Sequence, residues 1–192
     1  MQHQEASIIL NYTVSYLSLE IKDIKYFKNV LGDHAISFLK AISPNTSYFL
    51  YLYKEVGRKY EWTDWLRSEK SKLESFLTDD NVLLYSLILR GVPKGFFVLD
   101  YRLLPVCDLA YFGLFDDVTG KGLGKFMMNR VFEEVMERGD VKTLTVNTNT
   151  WTTKVPFLFT KKLDLIYIKQ RFIREERRLN WKVRSIYKCS SI

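Results

Sequence analysis

Apolar and polar positions alternate through Ile8–Tyr16, with Ile8, Leu10, Tyr12, Val14 and Tyr16 on one side and Asn11, Thr13 and Ser15 on the other, which reads as a half-buried strand. The stretch from about Asp23 to Leu39 reads as helical. Asn45 or Ser43 stands where a cap would start a helix ending near Gly57, although the unbroken aromatic run Tyr48–Tyr53 fits a buried strand equally well by period alone. Lys70–Leu77 predicts a short helix, with Ser71 and Glu74 at capping-box spacing. Val82–Leu89 and Phe96–Tyr101 flank Gly91-Val92-Pro93-Lys94-Gly95 and predict an antiparallel hairpin, which Leu109–Phe115 extends. Leu123, Met127, Val131 and Val135 mark a helix that ends near Gly139. Lys142–Asn147 then predicts a strand, Thr153–Lys162 a helix, Leu165–Phe172 a strand, and Ser185–Lys188 a last edge strand. The order is an antiparallel meander passing into strand, helix, strand, helix, strand.

Composition narrows the class. The 192 residues, 47% of them apolar, fit one domain spanning 1–192 with a single core. The N-terminus lacks a basic region and a small-residue cleavage site, and Asn11, Thr13, Ser15 and Ser18 interrupt its apolar stretch, so neither a signal peptide nor a membrane span is expected and a cytoplasmic location follows. Two cysteines, Cys107 and Cys189, show neither metal-ligand spacing nor a disulfide framework, and Cys107 reads as a small core residue. His3 and His34 are the sole histidines, which leaves a histidine triad or a metal cluster little to draw on, and no metal is expected.

The run Asp108–Arg130, DLAYFGLFDDVTGKGLGKFMMNR, fuses a strand, a glycine-rich turn and a helix start. Such a turn aims several backbone N–H groups and the positive end of a helix at one point, which suits a phosphate. Spacing removes two kinds of phosphate loop. A G-x-G-x-x-G count from Gly120 or Gly122 places Lys125 or Met127 at the third glycine. A P-loop count places Thr119 at the first glycine and Phe126 at the Mg²⁺-binding hydroxyl. What remains, Gly120-Lys121-Gly122-Leu123-Gly124-Lys125, resembles the pyrophosphate loop of the GNAT superfamily of N-acetyltransferases, whose motif is Gln or Arg, two residues, Gly, one residue, then Gly or Ala. Gly122 and Gly124 match it, and Thr119 replaces the usual first residue. LAYFGL with its following acidic turn, and LYKEVGRKYEWTDW at Leu52–Trp65, resemble a bacterial, functionally uncharacterised branch, and the resemblance covers roughly Thr46 to Phe172.

The resemblance implies an α+β fold, the GNAT acyl-CoA N-acyltransferase fold. Its central mixed sheet would have six or seven strands, splayed between the fourth and fifth predicted strands, Leu109–Phe115 and Lys142–Asn147, with helices on both faces and Tyr48–Tyr53 in one of them. It implies acetyl-CoA in that gap. The pantetheine arm would pair with the backbone of Gly113, Leu114 and Phe115, and the pyrophosphate would rest on the loop of Thr119, Gly120, Lys121, Gly122, Leu123, Gly124 and Lys125. Asn147 either contacts CoA or satisfies backbone groups at its strand end. A backbone N–H near Leu114 or Phe115 would hold the developing oxyanion.

The implied reaction needs a base, because a lysine-like ammonium has a pKa of about 10.4. Asp108, at the position where related proteins carry Glu, is the candidate, and strict alternation puts it on the face of Ala110, Phe112 and Leu114; it reads nearly as well as an ordinary strand-end acid. Asp116 and Asp117 read as solvated turn residues. Thr160 stands where the family's tyrosine acid would be, with Asp164 and Leu165 at the following glycine and phenylalanine, which implies slow catalysis. Tyr60, Trp62, Asp64 and Trp65 form an aromatic and acidic cluster that either holds a cationic amine or packs the core.

Residues 161–192 carry ten Lys/Arg against three Asp/Glu, while the first 160 carry nineteen of each sign, so the whole formal charge of +7 lies at the C-terminus. A solvated basic face and a polyanion-attracting patch are both open readings, and no nucleic-acid module supports binding of DNA or RNA. The expected function is acetyl transfer from acetyl-CoA to a small-molecule amine or a protein amino group, by a monomer or homodimer without membrane contact. The alternative is a catalytically weak GNAT-like module that binds CoA or a partner.

Overall fold

A computed structural model of the chain describes residues 7–28, 35–60, 62–149 and 166–178, with backbone alone at 7–10, 149 and 166–178. Seven strands are present: β1 (Ser7–Glu20), β2 (Ile36–Ala41), β3 (Val82–Leu89), β4 (Val92–Leu103), β5 (Val106–Leu114), β6 (Thr143–Asn149) and β7 (Ile166–Arg178). They join in one sheet of order β2-β3-β4-β5-β6-β1-β7, antiparallel throughout except for the β5–β6 pair. The helices are α1 (Thr46–Gly57), α2 (Asp64–Arg67), α3 (Lys70–Leu77) and α4 (Leu123–Arg138).

Both sheet faces are covered. Phe49, Leu52, Tyr53 and Val56 recur at helical spacing on α1 and are buried with Leu73, Phe76 and Leu77 of α3 against Leu84, Phe96 and Val98 of the sheet. On the opposite face Met127, Val131, Phe132 and Val135 of α4 pack against Leu87, Phe97, Leu99 and Leu109. Each such side chain contributes roughly 1.5–3 kcal/mol of burial. Asn45 caps α1, its side-chain oxygen accepting from the Tyr48 amide at 2.8 Å, and α4 stops at Gly139, whose φ of +78° continues no helix. Cys107 is fully buried, and burial pushes its thiol up to about 12, so it serves as a core residue.

Several sequence expectations need correction. The helix expected over Asp23–Leu39 is instead, at its C-terminal end, the edge strand β2, paired with β3 from Ile36↔Leu89 to Ala41↔Leu84. Ile36 and Phe38 alternate toward the core while Leu39 is exposed, so β2 shows a short, mixed pattern that helical spacing imitates. The extra strand makes β5 and β6 the fourth and fifth strands of the expected order. Helix α3 has the expected bounds, but the Ser71/Glu74 capping box does not form, because the N-cap is Glu69, two residues before Ser71, and Glu74 pairs with Lys70 at 3.1 Å. The hairpin turn shrinks to Arg90–Gly91, both at positive φ (52° and 81°) as a tight two-residue turn requires, and Val92–Gly95 enter β4. The predicted helix Thr153–Lys162 and edge strand Ser185–Lys188 lie outside the described residues, as do His3, His34 and Cys189.

Strand β1 does not neighbour the meander that follows it in sequence. It lies between β6 and β7, with Leu17 opposite Val146 and Leu19 opposite Leu144, and so forms the outer support of β6.

Candidate active site

The β5–β6 pair has three rungs, Val106↔Thr143, Cys107↔Leu144 and Asp108↔Thr145. Both strands continue, but each stays with its outer neighbour: β5 follows β4 to Leu114↔Gly95, and β6 follows β1 to Asn149↔Val14. A fork therefore opens beyond Asp108. Its inner strand edges suit an extended ligand, which can add to a sheet edge through main-chain hydrogen bonds.

A bulge sits at the base of the fork. Val98 pairs with Tyr111 but Leu99 pairs with Leu109, so Ala110 is one residue too many on β5. One extra residue reverses the alternation that follows it. Asp108 accordingly shares the α1–α3 face with Tyr111, while Phe112 packs with the α4-side core beside Leu109. This corrects the expectation that Asp108 shares a face with Phe112 and Leu114.

At the last rung the Thr145 hydroxyl donates to Asp108 Oδ1 at 2.8 Å. Burial raises the Asp108 carboxyl above its ordinary value, the Thr145 hydrogen bond works against the rise, and the charge of Asp100 adds to it. A carboxyl raised in this way lies nearer the range useful for a base.

At the open end of the fork the chain turns through Asp116–Val118 into the glycine loop. Gly120 and Gly122 adopt φ of +77° and +84°, a conformation that side chains strain. The amides of Lys125 and Phe126 donate to the Gly122 carbonyl, whereas those of Gly120, Lys121, Gly122, Leu123 and Gly124 donate to no backbone carbonyl among the described residues. These five donors sit at the positive end of a 16-residue helix, and a Cβ built on Gly120 meets nothing within 4 Å. The donor set and the open space fit a diphosphate. Two ion pairs brace the turn: Lys59 with Asp116 at 2.8 Å and Lys94 with Asp117 at 2.5 Å. Lys94 holds the Asp117 carboxyl below its usual range, so these turn acids are exposed but partnered.

The other strand residues named from sequence divide. The Phe115 amide donates to the Lys94 carbonyl at 2.9 Å, on the β4 side; strand alternation then turns the Leu114 N–H toward the gap. Gly113 is a glycine for packing reasons, since a Cβ there would lie 2.1 Å from Val56 Cγ1 on α1. Asn147 is exposed on β6, two residues past the last rung. Thr160 lies outside the described residues.

Beside β5, on the face of Asp108, lies an open cavity of about 490 Å³ whose wall includes Trp65, Phe76, Ala110 and Tyr111. Trp65 Nε1 donates to the Tyr111 hydroxyl at 2.5 Å. Of the cluster named from sequence, Trp65 reaches the cavity. Trp62 packs on Gly57, Tyr53, Phe96 and Tyr111, Tyr60 lies against Trp62, and Asp64 is exposed at the start of α2. The sequence reading missed Phe76 and Tyr111. Phe76 is a buried residue of α3 that no local motif marks, and the bulge hides the facing of Tyr111.

No family model matches the chain, and no curated protein matches it. Solved structures do. A functionally unknown conserved protein of Staphylococcus epidermidis superposes with a TM-score of 0.63 at 11% identity, over 88% of this chain and 63% of that one. A GCN5-related N-acetyltransferase of Kribbella flavida gives 0.55 at 12%, over 93% and 62%. The chain has the GNAT fold. An aminoglycoside acetyltransferase from an uncultured soil metagenomic sample, solved with sisomicin, gives 0.54 at 11%, over 66% of this chain and 86% of that one. The chain thus spans under two thirds of the length of the first two structures, 63% and 62%. Within the GNAT fold, the fork and the glycine loop of this chain are its own observed features, and no described helix is long and apolar enough to cross a membrane.

Proposed function

We propose that the chain is an acyltransferase that moves an acetyl group from acetyl-CoA to a primary amine, by direct attack within a ternary complex. The observation that carries this reading is the fork: β5 and β6 part after Asp108↔Thr145, and the loop at the open end presents five amides without a backbone acceptor among the described residues. The chemistry available from acetyl-CoA there is a thioester, whose carbon–sulfur bond breaks as the nitrogen–carbon bond forms.

The chain's own residues supply the rest. Loop amides from Gly120 to Gly124, with the exposed Lys121 and Lys125, hold the diphosphate. The Leu114 N–H is the oxyanion donor, and the raised carboxyl of Asp108 takes the ammonium proton from the acceptor. Proton return to the departing thiolate asks little of the protein, since a thiol of pKa about 8.5 is already a good leaving group. This supports turnover even with Thr160 in place of a tyrosine.

Free-thiol release from acetyl-CoA, measured over a panel of primary amines, tests the assignment. Amine-dependent release above background hydrolysis is expected. Release that no amine increases, in a chain that still binds CoA, would overturn turnover in favour of a binding module, a reading that Thr160 and Asp164 favour.

A further inference from the structure

The cavity beside the fork indicates which amine the site takes, an inference that rests on the acyl-transfer reading. Its volume of about 490 Å³ lies within the usual range for small-molecule sites and exceeds what an unbranched alkyl arm fills. Its wall sets three aromatic side chains, Trp65, Phe76 and Tyr111, beside serines and charged groups, and the rings are held by their neighbours. The Trp65 and Phe76 rings lie 5.2 Å apart at 31°, and the Arg102 guanidinium sits 5.1 Å from the Phe76 centroid. Tyr111 is held by the Trp65 hydrogen bond and by edge contacts with Phe49, Tyr53 and Trp62.

The charged groups of the rim are engaged with neighbours, Asp79 accepting through Oδ1 from the Asn81 amide at 2.9 Å. Arg102 is tied to Asp100 through two side-chain nitrogens, at 2.9 Å from Nε and 2.6 Å from Nη2, and Lys72 pairs with Glu69 at 3.6 Å. Shape and aromatic surface therefore decide. Ala110, the bulge residue, brings only a methyl group to the wall two positions from Asp108, and Asp108 shares that sheet face.

We infer that this cavity is the acceptor subsite and that it takes a small primary amine with a flat aromatic body, the ring against Trp65 and Phe76 and the amino group toward Asp108. Flat rings gain from offset or edge contacts with such a wall beyond simple burial, and an ammonium gains from the ring faces.

Direct binding to the full chain, saturated with CoA and followed by calorimetry, tests the inference. The probes are 2-phenylethylamine, n-hexylamine and Nα-acetyl-lysine amide. Phenylethylamine is expected to bind at least tenfold more tightly than the other two. Ser75→Trp, a change at an exposed cavity position, is expected to remove that preference while CoA affinity stays unchanged; Trp65→Leu serves as a second variant with the same expected loss. Equal affinities, no binding of phenylethylamine, or a preference untouched in a folded variant would overturn the inference. Binding with this preference but no thiol release would instead sink acyl transfer, and thiol release with hexylamine favoured would leave acyl transfer standing while sinking the aromatic subsite.

Discussion

Thr145 and Asp108 face each other across the last rung between β5 and β6, hydroxyl to carboxylate at 2.8 Å, where the strands part. The contact holds the carboxyl at the base of the fork, on the side of the cavity. Burial outweighs the hydroxyl's effect and leaves Asp108 above its ordinary pKa.

That relationship predicts opposite effects on stability and activity. A carboxyl raised in the folded state keeps its proton at pH values where the unfolded chain has released it. Its cost to stability is therefore absent below about pH 4, grows as pH rises through the folded pKa, and persists above it. Asp108→Asn should raise the melting temperature at pH 7, with the difference from the parent chain closing near pH 4. Acetyl transfer should fall by roughly 10²–10⁴-fold, and the acidic limb of the kcat/KM profile should vanish. An unchanged profile would remove Asp108 as base.

Gly113 and Val56 should be energetically coupled. The Cβ added by Gly113→Ala would meet Val56 Cγ1 at 2.1 Å, an overpacking that costs about 1–3 kcal/mol. Val56→Ala removes the obstructing methyl groups. The double variant should be less destabilised than the sum of the singles, by about 1 kcal/mol in denaturant unfolding, and strict additivity would refute the contact.

Gly120 and Gly91 form a matched pair for separating strain from binding. Their φ angles are +77° and +81°, and a Cβ built on either meets nothing within 4 Å. Alanine at each position should cost a similar amount, about 1–2 kcal/mol for the left-handed conformation. Only Gly120→Ala should weaken CoA binding, by tenfold or more in calorimetry, since Gly91 lies in the β3–β4 turn. Equal CoA affinity in both variants would contradict the loop assignment.

The features legible in sequence are those written locally. Glycines at 120 and 122 before a periodic helix, Asn45 three residues ahead of Tyr48, and Gly139 after α4 each declare a backbone conformation within a few residues. The Ala110 bulge does not, because one extra residue changes register without changing composition, and with it went the facing of Asp108 and Tyr111. Strand β2 is only six residues long at a sheet edge, too short for alternation to outweigh helical spacing. The place of β1 between β6 and β7 depends on long-range pairing that no local pattern encodes.

Titration of the ¹⁵N-labelled chain with CoA, followed through its amide resonances, probes the central claim most directly. The account predicts saturable shifts at Lys121, Gly122, Leu123, Gly124 and Leu114, with Gly91 unmoved. Loop and Leu114 resonances that stay in place at saturating CoA, or shifts confined to the basic strand 166–178, would contradict it.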